Sequence, residues 1–498
     1  MINSTSAQLS AWDGTAPLVL EFDPALCHVT LLGRLNADGR VPLPALLHFP
    51  DHGTLRITGP GALGYEASRL GKPFVRVTFP PGNYRWENVC IHPAVPGIEG
   101  DRRFDGFRRN WLNIFQLNPR LGVLANHAGS DNCPFCLYKY AEMACYTPPL
   151  ADGLTALDLI RATLDRYLAG LLGYGMTGYV MFDYGGEPSR DPPATDTYPS
   201  LVISACLLGA ADRAWFERNY AGIRGWAELI LATDRDGNGL FEFPYSGNSG
   251  SWAAMGNVRP ANWWDCLGFG HEDAYGNALA FRALRSLAEL APTPDAHRYA
   301  VAAAKLRAVY GDAFYNPATG ILAGWRSADG QLHDYWFVWL NSLAIHFGLV
   351  PPERAHAIMD RLLAKMRAVG YTRFDLGLPG NLVVVPQADC TATDPRWGGA
   401  DAFQVYENGG ATACYAYYTL AALYDLGRRE EADAILFPML ESFERGSFAG
   451  IGANGMTNDW KTWDGTPWGY EGFLVDNYYA LQAVLRRAGQ ADPATPVL

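Results

Sequence analysis

The 498-residue sequence is short of positive charge, with 39 Lys and Arg against 51 Asp and Glu and a formal net charge of −12. That balance repels a polyanion and no Lys/Arg run offsets it, so nucleic acid is not the expected partner. Long apolar runs are missing too, and none approaches the roughly 20 residues a helix needs to cross a bilayer. The opening residues, Met1 to Gln8, carry neither the basic start nor the apolar stretch of a secretory signal. A cytoplasmic protein is therefore expected. Tandem repeats and low-complexity tracts are absent as well.

Cysteine is sparse and odd in number, nine in all, which argues for reduced thiols rather than a disulfide framework. Cys133-Pro-Phe-Cys136 has the spacing of a redox pair or half a zinc site, with Cys145 and His127 nearby. No second Cys-x-x-Cys accompanies it, so buried structural thiols are expected and no metal is assigned. What is plentiful is aromatic surface, with 15 Trp, 26 Tyr and 23 Phe making up 13% of the chain. At this length two or three domains are allowed.

Residues 1–125 read as an antiparallel β-sandwich. The runs Leu18–Phe22, His28–Leu32, Thr54–Thr58, Phe74–Phe79 and Trp86–Ile91 are short, β-branched and aromatic, and Gly, Pro, Asn and Asp clusters separate them. Residues 126–154 read as a connection with one short helix near Leu137 to Cys145, and 488–498 as a frayed tail.

From 155 to 487 the pattern becomes helical. Segments near 155–172, 197–209, 212–232, 272–290, 294–313, 333–348, 352–369, 409–426, 429–445 and 470–487 return apolar residues at i, i+3, i+4 and i+7. The connections after the second, fourth, sixth and eighth are short, with Gly, Pro or Asp where helices stop and start. The others are long, and alternating antiparallel helices bring all of them to one end. This rhythm predicts an α/α toroid, an (α/α)6 barrel, with its function in the long loops.

Those loops carry Trp252, Trp263, Trp264, Trp397, Trp460, Trp463 and Trp468 beside Asp183, Asp191, Asp196, Asp265, Glu407, Asp459 and Asp464. Flat aromatic faces suit the C–H-rich face of a sugar ring, carboxylates suit its hydroxyls, and two carboxyls suffice for acid/base cleavage. In Ala261-Asn-Trp-Trp-Asp265 an Asp between indoles is desolvated and suited to a general acid; capping a nearby helix is the plainer role. Glu407, in Tyr406-Glu-Asn-Gly-Gly410, reads equally as base, hydroxyl ligand or cap. Either Asp459 or Asp464 could activate water, with Lys461 tuning its neighbour. Tyr198, His271, Glu272, Tyr406, Asn408 and Glu471 complete the expected substrate contacts. Asp234-Arg-Asp-Gly-Asn238 resembles the start of a calcium loop through Asp234, Asp236 and Asn238; a tight Asx/Gly turn is the expectation.

Trp264-Asp265 followed by Asn277-Ala-Leu-Ala-Phe-Arg-Ala-Leu284 resembles the segment of trehalases and processing α-glucosidases, glycoside hydrolase families 37 and 63, that carries their general acid. Asn408-Gly-Gly410 with the helix to Arg428 looks like the Asn-Gly-Trp stretch of trehalases, with Gly410 in place of the Trp. Gly469-Tyr-Glu-Gly-Phe-Leu-Val-Asp-Asn-Tyr478 is similar in place to their closing helix. The resemblance covers roughly 155–487 and points to the six-hairpin glycosidase superfamily, many of whose members also have an N-terminal β-sandwich. It implies an inverting glycoside hydrolase acting on a neutral oligosaccharide or glycoside, with Asp265 as acid. The trehalase Glu-Lys-Tyr-Asp base segment has no match, so the base is Asp459 or Glu407. A phosphorylase, polysaccharide lyase or sugar epimerase on the same barrel, the latter two through His271 or His333, and a non-catalytic glycan-binding protein are the alternative readings.

Overall fold

The computed structural model describes residues 11–22, 29–50, 52–68, 74–119, 122–125, 134–169, 171–172, 176–177, 194–243, 261–264, 266–390, 402–445, 459–468 and 475–490. In the N-terminal region nine strands form two antiparallel sheets. One runs β1 (Ala11–Gly14), β9 (Gly82–Val89), β6 (Gly53–Thr58), β5 (Ala45–Phe49), β3 (Thr30–Leu32), and the other β2 (Leu18–Phe22), β8 (Phe74–Phe79), β7 (Ala62–Ser68), β4 (Arg40–Pro42). Alternation sets the faces: in β8, Val75, Val77 and Phe79 are buried while Phe74, Arg76 and Thr78 are only partly so. The inward residues join Leu31, Leu47 and Ile57 of the other sheet in one hydrophobic cluster. On the other face Arg76 lies in register between Glu21 and Glu66 and pairs with both, at 2.8 and 3.0 Å.

The helical region is built in two layers. Buried helices are α2 (Leu137–Tyr146), α4 (Thr197–Ala211), α6 (Ala274–Leu290), α8 (Val338–His346), α10 (Ala416–Asp425), and a 3-10 stretch Val475–Gln482 continuing into α12 (Ala483–Arg487). Each packs against the next, and 475–482 packs back on α2. Burial is most complete in α8, where every residue is buried; α6 leaves only Arg285, Ser286 and the last residues of its final turn partly exposed. The second layer is α3 (Ala156–Leu168), α5 (Arg213–Leu231), α7 (Thr293–Ala313), α9 (Pro352–Ala368) and α11 (Arg429–Glu444). These are amphipathic; α7 buries only Tyr299, Ala303, Leu306, Tyr310 and Gly311, a single stripe. Each follows its buried partner through a short connection, so the long connections all leave from the opposite ends.

The N-terminal region and the connecting segment both contribute to this packing. Within 126–154, α2 is an inner helix. Within 1–125, α1 (Asp105–Asn110) packs on α11 and the 3-10 turn Trp111–Ile114 packs on 475–482. The crossing at α1 is close enough that a Cβ on Gly106 would sit 2.1 Å from the Leu440 carbonyl oxygen.

Polar groups caught between apolar helices must be paired. Lys139 of α2 and Asp476 are both fully buried and bond at 2.8 Å, and the same ammonium donates to the Cys414 carbonyl at 3.1 Å and lies 3.9 Å from the Tyr415 ring centre. Glu142, one turn on, pairs with Arg282 of α6 and accepts from Tyr479 and, at 3.1 Å, from Gln482.

Several helices start later than periodicity predicts. The helix expected at 272 begins at Ala274 because His271–Asp273 is a strand and Asp273 caps, accepting from Tyr275 N–H at 2.8 Å. The one expected at 333 begins at Val338, since Leu332–His333 pairs with Trp325–Arg326. The one expected at 409 begins at Ala416, because Ala411–Thr412 pairs with Leu378–Pro379. Residues 475–482 are 3-10 where α-helix was predicted. None of the described helices is long and apolar enough to cross a membrane.

Two measurements test this account. Lys139→Met leaves the Asp476 carboxylate unpaired in the core and is expected to cost about 3–5 kcal/mol in urea unfolding, most of it recovered by Lys139→Met with Asp476→Leu. His48 of β5 is fully buried, bonded to Thr54 and Asn113, and burial pushes its pKa down to about 3. The folded state therefore keeps His48 neutral while the unfolded chain protonates near pH 6.5. Stability is lost as pH falls below that value, until the folded-state group itself protonates. Between pH 7 and pH 5, His48→Gln should reduce the fall in unfolding free energy by about 2 kcal/mol.

Candidate active site

The chemistry-bearing segment 261–266 lies among the long connections, and carboxylates hold it at several points. Asn262 Oδ1 accepts from Trp264 N–H at 2.8 Å, folding the segment into an Asx turn. Ala261 O accepts from Thr195 N–H at 2.7 Å. Asp196 Oδ2 accepts from Trp263 N–H at 2.8 Å, and Asp273 Oδ2 accepts from Asn262 Nδ2 at 2.9 Å and Thr195 Oγ1 at 2.5 Å. Beyond position 265, Cys266 N–H donates to Glu407 Oε2 at 2.7 Å. Asp196, Asp273 and Glu407 are all fully buried. Burial raises the Asp196 carboxyl well above the ordinary range, and the Asp273 charge adds to it. Asp273 is pushed up to about 6 by burial, against the pull of its hydrogen bonds.

Around this segment is an aromatic cluster. Trp264 stacks on Trp339 of α8 with ring centres 4.8 Å apart and planes 4° from parallel. Tyr415 lies 4.5 Å from Trp339 and 5.0 Å from Trp263, and Trp460 lies 5.5 Å from Trp264. In this neighbourhood the indole N–H groups of Trp264, Trp339 and Trp460, Thr197 Oγ1 and Asp196 Oδ1 are buried without a hydrogen-bond partner among the described residues. Each such group costs about 1–3 kcal/mol in an apolar interior. Their concentration beside a carboxyl with a raised pKa is what a site for a hydroxyl-rich ligand requires.

Asp459 enters from the last long connection. Trp460–Lys461 pairs with Pro467–Trp468, and Lys461 with Ala411, which fixes Asp459 at the edge of a small four-stranded sheet. Asp459 is buried; Cys414 Sγ lies 3.9 Å from its Oδ2 and 3.4 Å from Asp476 Oδ1. Lys461 donates to the Asp459 carbonyl at 3.3 Å, and burial pushes its amine down to about 8 against the pull of the Asp459 charge.

Other expected contacts are committed to structure. Glu272 pairs with Arg326 and accepts from Asn238 Nδ2 at 2.8 Å. Asn408 accepts from Val385 N–H at 2.9 Å and donates to Val385 O at 2.8 Å. Asp464 is exposed in a turn, where hydrogen bonds from Thr462 and Thr466 lower its pKa to about 2. Trp463 donates to Gly409 O at 2.6 Å, and Tyr406 sits 5.3 Å from Trp460 and 6.4 Å from Trp468. Tyr198 is half-buried in the first turn of α4, and His271 half-buried in its strand. His333 stacks on Trp325 at 4.6 Å and bonds Asp389 at 2.7 Å and Ser327 at 3.1 Å. Asp183, Asp191, Trp252, Asp265, Trp397 and Glu471 lie outside the described residues, as do His127 and Cys133; Cys136 is buried, 3.6 Å from the Tyr140 hydroxyl.

At the calcium-like loop, Asp236 accepts from Asn238 N–H at 3.0 Å and Asp234 from Gly239 N–H at 3.1 Å. The Lys305 ammonium contacts Asp234 at 3.1 Å and Gly237 O at 2.6 Å, so the loop is an Asx/Gly turn closed by a lysine. Asp273, Trp339 and Tyr415 were not singled out from the sequence. Asp273 falls inside the helix predicted from 272, where an acidic first turn does not stand out, and the other two lie in apolar segments that read as core.

Gly410 shows why a Trp is not found there. A Cβ at this position would lie 2.3 Å from Tyr406 O and 3.0 Å from Trp460 Cε3. Gly410→Ala is expected to cost about 1–3 kcal/mol and to shift tryptophan emission as Trp460 is displaced. An unchanged urea midpoint and spectrum would contradict this packing.

No protein-family model matches the chain, and no curated protein matches it. Among solved structures it is similar to a rhamnosidase from Klebsiella oxytoca with rhamnose bound, at 14% identity over 97% of this chain and 84% of that one, TM-score 0.49. A GH63 mannosylglycerate hydrolase from Thermus thermophilus is 15% identical over 76% of this chain and 99% of that one, TM-score 0.45. A GH76 α-mannanase from Bacteroides thetaiotaomicron is 14% identical over 78% and 96%, TM-score 0.44.

Proposed function

We propose that the protein is an inverting glycoside hydrolase acting on a neutral oligosaccharide or glycoside, with its helical layers forming an (α/α)6 toroid behind an N-terminal β-sandwich. The observation that carries the reading is the cluster of buried indole N–H groups, Thr197 Oγ1 and Asp196 Oδ1 that have no partner among the described residues and lie among packed aromatic rings. Apolar ring faces match the C–H surfaces of a pyranose, and the unpaired donors and acceptor match its hydroxyls.

Asp265 is assigned as the general acid. Its covalent neighbours Trp264 and Cys266 are buried, and Trp264 belongs to the aromatic cluster described above. Asp459 is the preferred base. Lys461 Nζ is held beside it, donating to the Asp459 carbonyl at 3.3 Å, and a neighbouring cation suits a residue that must take a proton from water. Asp265 would protonate the leaving oxygen while Asp459 takes a proton from water attacking the opposite face of the anomeric carbon. His333 is held between Trp325, Asp389 and Ser327, an arrangement that fixes the ring as part of the wall and gives no support to the lyase and epimerase readings.

The test is turnover of α- and β-linked glucosides, mannosides, galactosides and rhamnosides by wild type and Asp265→Asn, with and without phosphate. Proton NMR would follow the anomer first released. Hydrolysis with inversion that falls at least about 100-fold in the mutant is expected. Phosphate-dependent turnover, a retained anomer or a fully active mutant would each contradict the assignment.

A further inference from the structure

We propose that Glu407 is a positioning residue for the general acid: its carboxylate holds the main chain at Cys266 and so fixes the turn that carries Asp265. This rests on the glycosidase reading above. The chain is gripped on both sides of position 265 by carboxylates from different connections, Trp263 N–H by Asp196 at 2.8 Å and Cys266 N–H by Glu407 at 2.7 Å. Asn262 adds a third hold through Asp273, at 2.9 Å. A short hydrogen bond from a buried carboxyl to a backbone amide is a directional restraint, and acid catalysis depends steeply on placement.

Glu407 is itself rigidly mounted. Gln404 and Tyr406 adopt φ values of 64° and 46°, a left-handed conformation that is costly for non-glycine residues and persists only where surroundings enforce it. The enforcement is visible: Gly410 N–H bonds Tyr406 O at 2.9 Å, Gly409 N–H bonds Asn381 Oδ1 at 2.8 Å, and Asn408 is tied to Val385 in both directions. A fully buried carboxylate mounted this way and aimed at an amide needs only to accept a hydrogen bond. A base must in addition take a proton from water and release it.

That difference is testable with Glu407→Gln, whose amide oxygen still accepts from Cys266 N–H, and Glu407→Ala, which does not. Steady-state kinetics with and without azide would be combined with hydrogen–deuterium exchange on the peptide spanning 261–270. For a positioning residue, Glu407→Gln keeps kcat within about 10-fold and retains exchange protection. Glu407→Ala loses about 100-fold in kcat with KM little changed, exchanges faster at this peptide, and gains nothing from azide. Equal inactivity of the two variants with recovery in azide would make Glu407 the base, and unchanged exchange in Glu407→Ala would remove the clamp. Should wild type hydrolyse no glycoside, the functional reading fails, while the exchange data alone still decide whether Glu407 holds the turn.

Discussion

The helical region depends on burying six segments from all sides, and the pairing of Lys139 with Asp476 is where that constraint is sharpest. α2 comes from the first third of the chain and Asp476 from near its end, so the bond joins the first inner segment to the last. Two ions this deep gain little net stability over a well-packed apolar pair. What they add is selectivity of register: only one rotation of α2 puts Lys139 on Asp476 and, one turn later, Glu142 on Arg282 and Tyr479. Apolar contacts alone, made by a helix buried on every side along most of its length, would distinguish those rotations less sharply.

Closing the inner layer from both chain ends explains why the connections are so unequal. A short link suffices wherever a buried helix hands over to its amphipathic partner, as Asp212 does between α4 and α5 by capping α5. The return from outer layer to inner layer happens at the other end, and there the chain builds strands of two or three residues ahead of the inner helices. Those strands set the late helix starts at Ala274, Val338 and Ala416, and they also carry Asp273, His333 and Lys461 to one end. Site geometry and helix boundaries are thus consequences of the same backbone pairing.

That coupling accounts for what was legible in the sequence. The amphipathic outer helices and the short links were readable because periodicity and capping are local, and 213–231, 293–313, 352–368 and 429–444 fall within a few residues of expectation. β2 and β8 coincide with their predicted runs, whereas β5 and β7 went unread: Ala45–Phe49 is apolar throughout and Ala62–Ser68 begins Ala-Leu-Gly. Asp196, Trp263, Trp264, Glu407, Asp459 and Trp460 stood out as polar or aromatic residues in long connections, and hydrogen bonds and ring contacts link most of them to the 261–266 segment. Glu272 and Asn408 stood out equally, and sequence does not show that Arg326 and Val385 meet them. Lys139 and Asp476 were hidden for the converse reason, as each looks like an ordinary surface charge until the other end of the chain is brought beside it.

The unpaired polar groups around Trp264 give the site its energetic character. Other interior amides are satisfied at long range, as Asn277 is by Phe241 and Asn341 by Leu322, whereas the indole N–H groups of Trp264, Trp339 and Trp460 have no partner among the described residues. Local violations of this kind destabilise the fold and persist where a ligand or solvent completes them. The surrounding hydrogen bonds from Asp196, Asp273 and Glu407 hold the backbone of the same segment in place. Rigid backbone with unsatisfied side chains is the combination that lets a site stay organised while its polar groups remain available for a partner.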